Sequence, residues 1–219
     1  MGQGRPRSSL IPGSWSLFAL IGDLEFFLVY EDAVIRRLAV SVSAVAPEDH
    51  VAELLRLAGE DPDPSVRAVA VEALGGCTED DVSETLALAR EDGDPQVREA
   101  AATAYGELAD PNAVDWLIDR ARHDDDRLVR EASVAALGAI GDDRALPTLL
   151  GLVEEGPPRV RRRAVVALTV FDDPAVEPAI RAATNDRNPG VREAAEMVVG
   201  RSVDQCLPSL LPTSLLLPY

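Results

Sequence analysis

The chain repeats one stretch of sequence, Asp94-Pro-Gln-Val-Arg-Glu-Ala-Ala-Ala-Thr-Ala-Tyr-Gly106, at regular intervals. The Val-Arg step at residues 97–98 recurs at residues 66–67, 129–130, 160–161 and 191–192, and an Ile-Arg version stands at residues 35–36. These steps are 31, 31, 32, 31 and 31 residues apart. A constant period of this length is typical of a solenoid, in which each repeat buries its apolar face against its neighbours.

Each copy of this stretch predicts one helix, which we call helix B. Three copies begin with an N-cap acceptor followed by proline in the first helical turn, at residues 63–64, 94–95 and 188–189. Inside the helix, the spacing of Val97, Ala101, Ala104 and Tyr105 is that of a buried stripe. Glycines then fall near the helix ends, and we expect them to form left-handed C-terminal caps. They are Gly75, Gly106, Gly138 and Gly200.

A second and more leucine-rich helix, helix A, is predicted between the copies. Residues 110–121 place Val114, Leu117, Ile118 and Ala121 on one face. Two helices and two short turns fill a period of about 31 residues, because connections between packed helices are typically short. The sequence therefore predicts an all-α solenoid of antiparallel helix pairs.

The repeats resemble HEAT-like repeats of the phycobilisome-lyase type. Their pattern, Asp-Pro-x-Val-Arg-x-x-Ala-x-x-Ala-Leu-Gly followed by Asp-x-x-Ala-Val/Leu-x-x-Leu, is matched closely at residues 63–75, 126–138 and 142–150. The resemblance is strong over residues 32–200 and implies a right-handed superhelix. It also implies protein–protein binding, the commonest role of the family. The alternative that it raises is an accessory subunit of a phycobilin-lyase-like enzyme.

The predicted domain organisation is a single solenoid between two tails. Residues 1–14 are expected to be a disordered tail, residues 15–211 the solenoid and residues 212–219 a C-terminal tail. Within the solenoid, residues 15–31 read as a diverged capping helix, 32–200 as regular repeats and 204–211 as a terminal half-repeat. The capping helix is unusually apolar, so end-to-end self-association is an alternative to simple capping. A signal peptide is a further alternative at this end, and truncation of the array or an apolar hook at the other.

Composition limits the classes of partner. Arginine supplies all 21 basic residues, and 38 acidic residues bring the net charge to −17. Such a chain is not expected to bind nucleic acid, which needs a basic surface. The apolar run from residue 10 to 22 is interrupted and too short to span a bilayer. Cys77 and Cys206 are too few for a disulfide framework, which favours a cytoplasmic location.

No catalytic or cofactor-binding constellation is recognisable in the sequence. His50 and His123 stand in no paired metal-ligand motif, and there is no phosphate-binding glycine loop or nucleophile motif. We therefore expect neither metal nor cofactor, and a protein that is not an enzyme.

The Val-Arg steps place one arginine at the same flank of every helix B. These are Arg36, Arg67, Arg98, Arg130, Arg161 and Arg192, and Asp32, Asp63, Asp94 and Asp126 precede the first four by four residues. Recurrence at one helical position favours a structural ladder that bonds neighbouring repeats over a substrate site.

One repeat departs from the others, with Arg159, Arg161, Arg162 and Arg163 around Val160. Pro157 stands where other copies carry aspartate, so Arg161 has no local carboxylate. Either these arginines pair with nearby acidic residues, or they bind an acidic peptide or phosphate.

Trp116, predicted to be partly exposed, is the second candidate contact. The interpretation favoured by the sequence is a scaffold or adaptor that binds a protein or peptide, with acidic residues in the partner, through the helix-B ridge.

Overall fold

A computed structural model describes residues 24–45, 50–75, 77 and 80–205. This part of the chain folds into twelve α-helices and no strand. Numbered in chain order, they are α1 Leu24–Leu28, α2 Ala33–Ser43, α3 Val51–Glu60, α4 Pro64–Leu74, α5 Asp80–Ala89, α6 Pro95–Glu107, α7 Val114–His123, α8 Arg127–Ile140, α9 Leu146–Glu155, α10 Pro158–Ala167, α11 Val176–Ala183 and α12 Pro189–Gln205.

The helices form a two-layer α-solenoid. Each odd-numbered helix packs against the even-numbered helix that follows it, and each even-numbered helix packs against the next even-numbered one. The odd helices are the predicted helices A and the even helices the predicted helices B. The all-α solenoid expected from the repeat is therefore confirmed. One odd helix and the following even helix are called a repeat below.

The even helices begin where the sequence predicts. The side chains of Asp32, Asp63, Asp94 and Asp126 accept hydrogen bonds from backbone N–H groups two residues ahead, at 2.7–2.9 Å. Asn188 does the same for α12 at 3.0 Å. These bonds satisfy N–H groups that have no partner inside the helix. At the start of α10, Pro157 offers no side-chain bond.

The buried stripe of the even helices is also placed as expected. Val97, Ala101, Ala104 and Tyr105 are all buried, and the valines of the other Val-Arg steps have no exposed surface. The stripe is formed mainly of alanine and valine, so successive even helices lie close together.

The predicted role of the glycines as left-handed caps was wrong. Gly75 has a right-handed φ of −58°, and Gly106 and Gly138 lie within their helices. A Cβ at Gly106 would lie 2.9 Å from the Cα of Ala136, and one at Gly138 would lie 2.8 Å from the Cα of Ala167. Glycine is needed there because the next even helix leaves no room for a side chain. Gly200, inside α12, has no such neighbour.

The predicted ends of the solenoid fall only partly within the described residues. Of the capping helix at 15–31, α1 and the turn after it are described, and the tails 1–14 and 212–219 lie outside. Residue 204, the predicted start of the terminal half-repeat, lies inside α12, and residues 206–211 are outside the described chain. No helix in the described part of the chain has the length and hydrophobicity needed to cross a membrane.

Candidate functional site

Four of the repeated arginines bind an aspartate of the next repeat through two parallel hydrogen bonds. Nε and Nη2 of the guanidinium each donate to one carboxylate oxygen, at 2.7–3.0 Å. The pairs are Arg36–Asp61, Arg67–Asp92, Arg98–Asp124 and Arg161–Asp186. We call these four pairs the arginine ladder. Bidentate pairing of this kind is strong and directional, so the ladder fixes the register between repeats.

The remaining guanidinium nitrogen holds the turn before its own helix. Nη1 of Arg67 donates to the carbonyl of Asp61 at 2.8 Å, and Nη1 of Arg98 donates to the carbonyl of Asp92 at 2.9 Å. Each ladder arginine therefore joins its own turn to the following repeat. The hydrogen bond from Arg161 lowers the pKa of Asp186, and the same bond raises the pKa of Arg161.

The aspartates that precede the arginines by four residues do not pair with them. Asp32, Asp63, Asp94 and Asp126 cap their helices, and the paired carboxylates stand two residues before a cap in the next repeat. The recurring pattern Asp-x-Asp/Asn at residues 61–63, 92–94, 124–126 and 186–188 is the sequence signal that identifies them.

The two repeated arginines outside these pairs, Arg130 and Arg192, keep the contact to their own turns. Nη1 of Arg130 donates to the carbonyls of Asp124 and Asp125, and Nη1 of Arg192 donates to the carbonyl of Asp186 at 2.9 Å. Neither pairs with a carboxylate among the described residues.

The structure divides the predicted arginine cluster. Arg161 is only 1% exposed and belongs to the ladder, so Asp186 supplies the carboxylate that its own turn lacks. Arg159, Arg162 and Arg163 are exposed. None of the three pairs with an acidic residue of the described chain, and this holds for the nearby Glu154, Glu155, Asp142 and Asp143. Their guanidinium groups are therefore free for other partners.

Trp116 is partly buried, and its ring packs against Tyr105. The two ring centroids lie 5.9 Å apart at an interplanar angle of 56°. The indole Nε1 is buried and has no hydrogen-bond acceptor in the described structure. These contacts place Trp116 mainly in the packing between α6 and α7, which makes it a poor anchor for a partner.

A groove of about 460 Å³ lies on the solvent-facing side of three successive even helices, α6, α8 and α10. Glu99 and Glu107 of α6, Glu131 of α8 and Arg163 of α10 line it. Alanines of α8 form its apolar floor; they are Ala132, Ala135, Ala136 and Ala139. Glu99 and Glu131 follow the repeated arginine directly in their repeats, so the solenoid period aligns them along one surface. We call this feature the carboxylate groove.

The carboxylates on this surface repel one another. Partial burial, followed by repulsion from Glu72, Asp126 and Glu131, raises the pKa of Glu99. Desolvation and the charge of Glu107 likewise raise the pKa of Glu72 on α4. A cation that enters the groove would relieve this repulsion, so the groove favours positively charged ligands. Among the described residues, no group of three or more potential ligands is arranged to hold a metal ion.

Comparison with known families identifies the class of protein. A HEAT-repeats model matches residues 82–168, and a HEAT-repeat model matches residues 51–80, so the matches together span more than half of the chain. The chain belongs to the HEAT-repeat family. Comparison with curated protein sequences gives no match.

Several solved structures share this fold. YibA of Escherichia coli aligns with 93% of this chain and 79% of its own length, at 19% identity and a TM-score of 0.62. A chain of the CpcE–CpcF complex of phycocyanin lyase from Nostoc sp. aligns over 68% of this chain and 99% of its own, at 24% identity and a TM-score of 0.58. A designed armadillo repeat protein in complex with the peptide (KR)4 aligns over 81% and 97%, at 13% identity and a TM-score of 0.58. At these identities the likeness establishes the fold alone.

Proposed function

We propose that the protein is a non-enzymatic scaffold that binds a basic segment of a partner polypeptide in the carboxylate groove. The observation that carries the proposal is the alignment of Glu99, Glu107 and Glu131 over an apolar alanine floor. Lysine and arginine side chains fit such a surface, because their stems pack on apolar atoms while their charged ends pair with carboxylates. Burial and then the charges of neighbouring carboxylates raise the pKa of Glu99, and a bound cation would offset the repulsion among those charges.

Arg162 and Arg163 set the direction of the bound segment. They lie on α10, beyond the carboxylates of α6 and α8, and reverse the charge of the surface at that end. A segment with basic residues followed by an acidic residue would match both parts of the surface. The sequence predicted acidic residues in the partner. In this proposal they pair with Arg162 and Arg163, and not with the buried Arg161.

The fold supports a peptide-binding role of this kind. The designed armadillo repeat protein of similar fold was solved with a peptide of alternating lysine and arginine. The role as an accessory subunit of a bilin-attaching lyase has support from the shared fold with the phycocyanin lyase chain, and from no individual residue of this chain. The carboxylate groove therefore supports the scaffold role, whereas no residue of the described chain supports the lyase role.

Isothermal titration calorimetry with the full chain tests this function. Three peptides of equal length are compared: one of alternating lysine and arginine, one of glycine and serine, and one rich in glutamate. We expect the basic peptide to bind saturably and most tightly of the three, with an affinity that falls as salt concentration rises. The double substitution Glu99→Gln with Glu131→Gln should weaken binding at least tenfold, which corresponds to about 1.4 kcal/mol.

The matched control is Glu60→Gln with Glu84→Gln, which changes the net charge equally at exposed positions of the odd helices α3 and α5. This variant should bind the basic peptide with little change. Equal losses in the two double variants, or tighter binding of the glutamate-rich peptide, would refute the proposed function.

A further inference from the structure

Arg130 occupies the ladder position of α8 but has no aspartate opposite it. Its Nη1 is held by the carbonyls of Asp124 and Asp125, in the same way as Nη1 of Arg67 and Arg98 is held by the preceding turn. In the four complete pairs the same Nη1 contact accompanies bonds from Nε and Nη2 to the next repeat. In the described structure the Nε of Arg130 is buried and has no hydrogen-bond acceptor. A buried donor without a partner is unfavourable, so the site favours any acceptor that reaches it.

Counted along the chain, Glu155 holds the position of the paired aspartate, 25 residues after Arg130 and two before the N-cap position at Pro157. At the end of the odd helix, however, Gly156 takes the place that Asp61 has in its own repeat. The N–H of Asp61 bonds to the carbonyl of Leu57 at 3.2 Å, and the N–H of Gly156 bonds to the carbonyl of Leu152 at the same distance. Both residues therefore end an odd helix in the same way. The turn after Gly156 is one residue shorter than the turn after Asp61, because Gly156 directly precedes the N-cap position at Pro157. A Cβ at Gly156 would lie 2.6 Å from the carbonyl oxygen of Leu152, so this position accepts no side chain without a shift.

A second groove, of about 530 Å³, lies beside Arg130 between the C-terminal ends of α7 and α9. Besides Arg130, it is lined by Arg122, His123, Thr148, Glu155 and Gly156, among others. Arg122 reaches across it, and its Nη2 donates to the hydroxyl of Thr148 at 2.8 Å. We call this feature the Arg130 groove.

The acidic residues of the Arg130 groove do not complete the pair. Asp124 is bound by Arg98 of the preceding repeat, and its side chain is only 1% exposed. Asp125 and Glu155 are exposed, and no ion pair joins either side chain to Arg130 in the described structure. The groove therefore has room for a ligand beside the Arg130 guanidinium, whose Nε and Nη2 can donate to two oxygen atoms.

We propose that the Arg130 groove binds a carboxylate group, which takes the place that aspartate holds in the other repeats. Nε and Nη2 would donate to its two oxygens, in the geometry that Arg98 and Arg161 show with Asp124 and Asp186. A singly charged carboxylate fits better than a phosphate, because Asp125 and Glu155 at the rim repel the greater charge of a phosphate. The site is separate from the carboxylate groove and does not depend on the function proposed for it.

The carboxylate can come from an aspartate or glutamate of a bound polypeptide or from a small free acid. The groove volume lies within the range of small-molecule sites, so it admits both sources. Titration with acetate, with succinate and with a short capped peptide containing one aspartate distinguishes them. A peptide that binds at least tenfold more tightly than acetate and succinate identifies a polypeptide source, whereas tighter binding of succinate identifies a free acid. Either order of affinities supports a carboxylate site in the Arg130 groove, because both kinds of probe supply the same group.

Nuclear magnetic resonance of the side-chain Nε–H groups of the ¹⁵N-labelled full chain is the direct test. We expect the Nε–H of Arg130 to shift in a saturable manner as a carboxylate probe is added at constant ionic strength. The signals of Arg98 and Arg161 should not shift, since their carboxylates are already in place. Arg130→Lys keeps the charge but loses the two parallel donors, so it should weaken probe binding at least tenfold. Arg127→Lys, an exposed arginine on the same helix, is the control and should bind the probes normally.

Three results would overturn the proposal. One is an Arg130 signal that no carboxylate probe shifts. Another is a larger affinity for inorganic phosphate than for any carboxylate probe. The third is an Arg130→Lys variant that binds the carboxylate probes as tightly as the parent protein, because the two parallel donors would then play no part.

Discussion

Arg98 and Asp124 are 26 residues apart in sequence and joined by two parallel hydrogen bonds of 3.0 Å each. Their side chains are 16% and 1% exposed, so water does little to weaken the pair. Since Nη1 of Arg98 also holds the carbonyl of Asp92, one side chain connects the turns of two successive repeats. The stability of the solenoid should therefore depend on these pairs far more than on its surface ion pairs.

Arg98→Met should reduce the free energy of unfolding by about 3 kcal/mol, because it leaves the buried carboxylate of Asp124 with a weaker set of partners. Urea denaturation measures the change. The control is Arg56→Met, since Arg56 and Glu53 form an exposed pair with side chains 41% and 29% accessible. Loss of such a pair should cost about 0.5 kcal/mol. Equal costs in the two variants would mean that the ladder adds no more than surface pairs do.

Val97→Asp should lower the free energy of unfolding by several kcal/mol, on the order of 4, because it places a charge where the side chain has no exposed surface. Gln96→Asp, at an exposed position in the first turn of the same helix, is the matched control and should be nearly neutral. Hydrogen exchange should show faster opening of α4 and α8 as well, because both pack on α6. An unchanged denaturation curve for Val97→Asp would contradict the assigned core face.

The pH dependence of stability should reveal how much burial and charge repulsion destabilise the ionised form of Glu99 in the carboxylate groove. The pKa of Glu99 is raised in the folded protein, so the folded state binds its proton more tightly than the unfolded chain does. The resulting stabilisation is fully present below the unfolded pKa of about 4.3 and is lost as pH rises through the folded pKa.

Glu99→Gln should therefore be more stable than the parent protein at pH 7, with no such gain below pH 4. Denaturation at a series of pH values measures this difference. Glu60→Gln, at an exposed position of α3, is the control and should show a smaller difference across the same range. A Glu99→Gln variant that is less stable than the parent at pH 7 would show that the charge of Glu99 stabilises the fold.

Arg162→Glu with Arg163→Glu should change the choice of partner while the fold survives, because both side chains are exposed. A wholly basic peptide should bind several-fold more tightly to this variant, since the acidic surface becomes longer. A peptide with a basic stretch followed by glutamate should bind several-fold more weakly. Calorimetry with the two peptides measures the change in affinity. The control variant is Arg159→Glu with Arg181→Glu, which changes the net charge equally at two other exposed arginines. If both variants respond alike, Arg162 and Arg163 do not contact the peptide.

The repeat in the sequence was enough to predict the architecture, whereas the hydrogen bonds between repeats could be identified only in the structure. The Asp-Pro starts and the Val-Arg spacing were enough to place the even helices and their buried stripe. The recurring arginine predicted a ladder between repeats, but the accepting aspartate was not identified, because it lies 25 or 26 residues further along the chain. Gly106 and Gly138 were misinterpreted for a related reason, since close approach of Ala136 and Ala167 is a property of stacking and not of one helix.

The candidate sites were harder to predict from the sequence than the fold. Arg161 stands beside Arg162 and Arg163 in the chain, but the helix turns it inwards to Asp186. The carboxylate groove escaped notice because Glu99, Glu107 and Glu131 come from two helices and read as ordinary surface residues. A count along the sequence places Glu155 opposite Arg130, but Glu155 is the exposed last residue of α9 and does not pair with Arg130 in the described structure.

Methyl-selective nuclear magnetic resonance of the full chain during titration with a lysine–arginine peptide is the most direct test of the proposed binding surface. We expect shifts confined to the even-helix surface, at Ala135 and Ala139 in the groove and at the exposed Val166 of α10. The exposed Leu88 of the odd helix α5 should not respond. Shifts centred on Leu88 and its neighbours, with none at Ala135 and Ala139, would contradict the claim that the even helices carry the partner-binding surface.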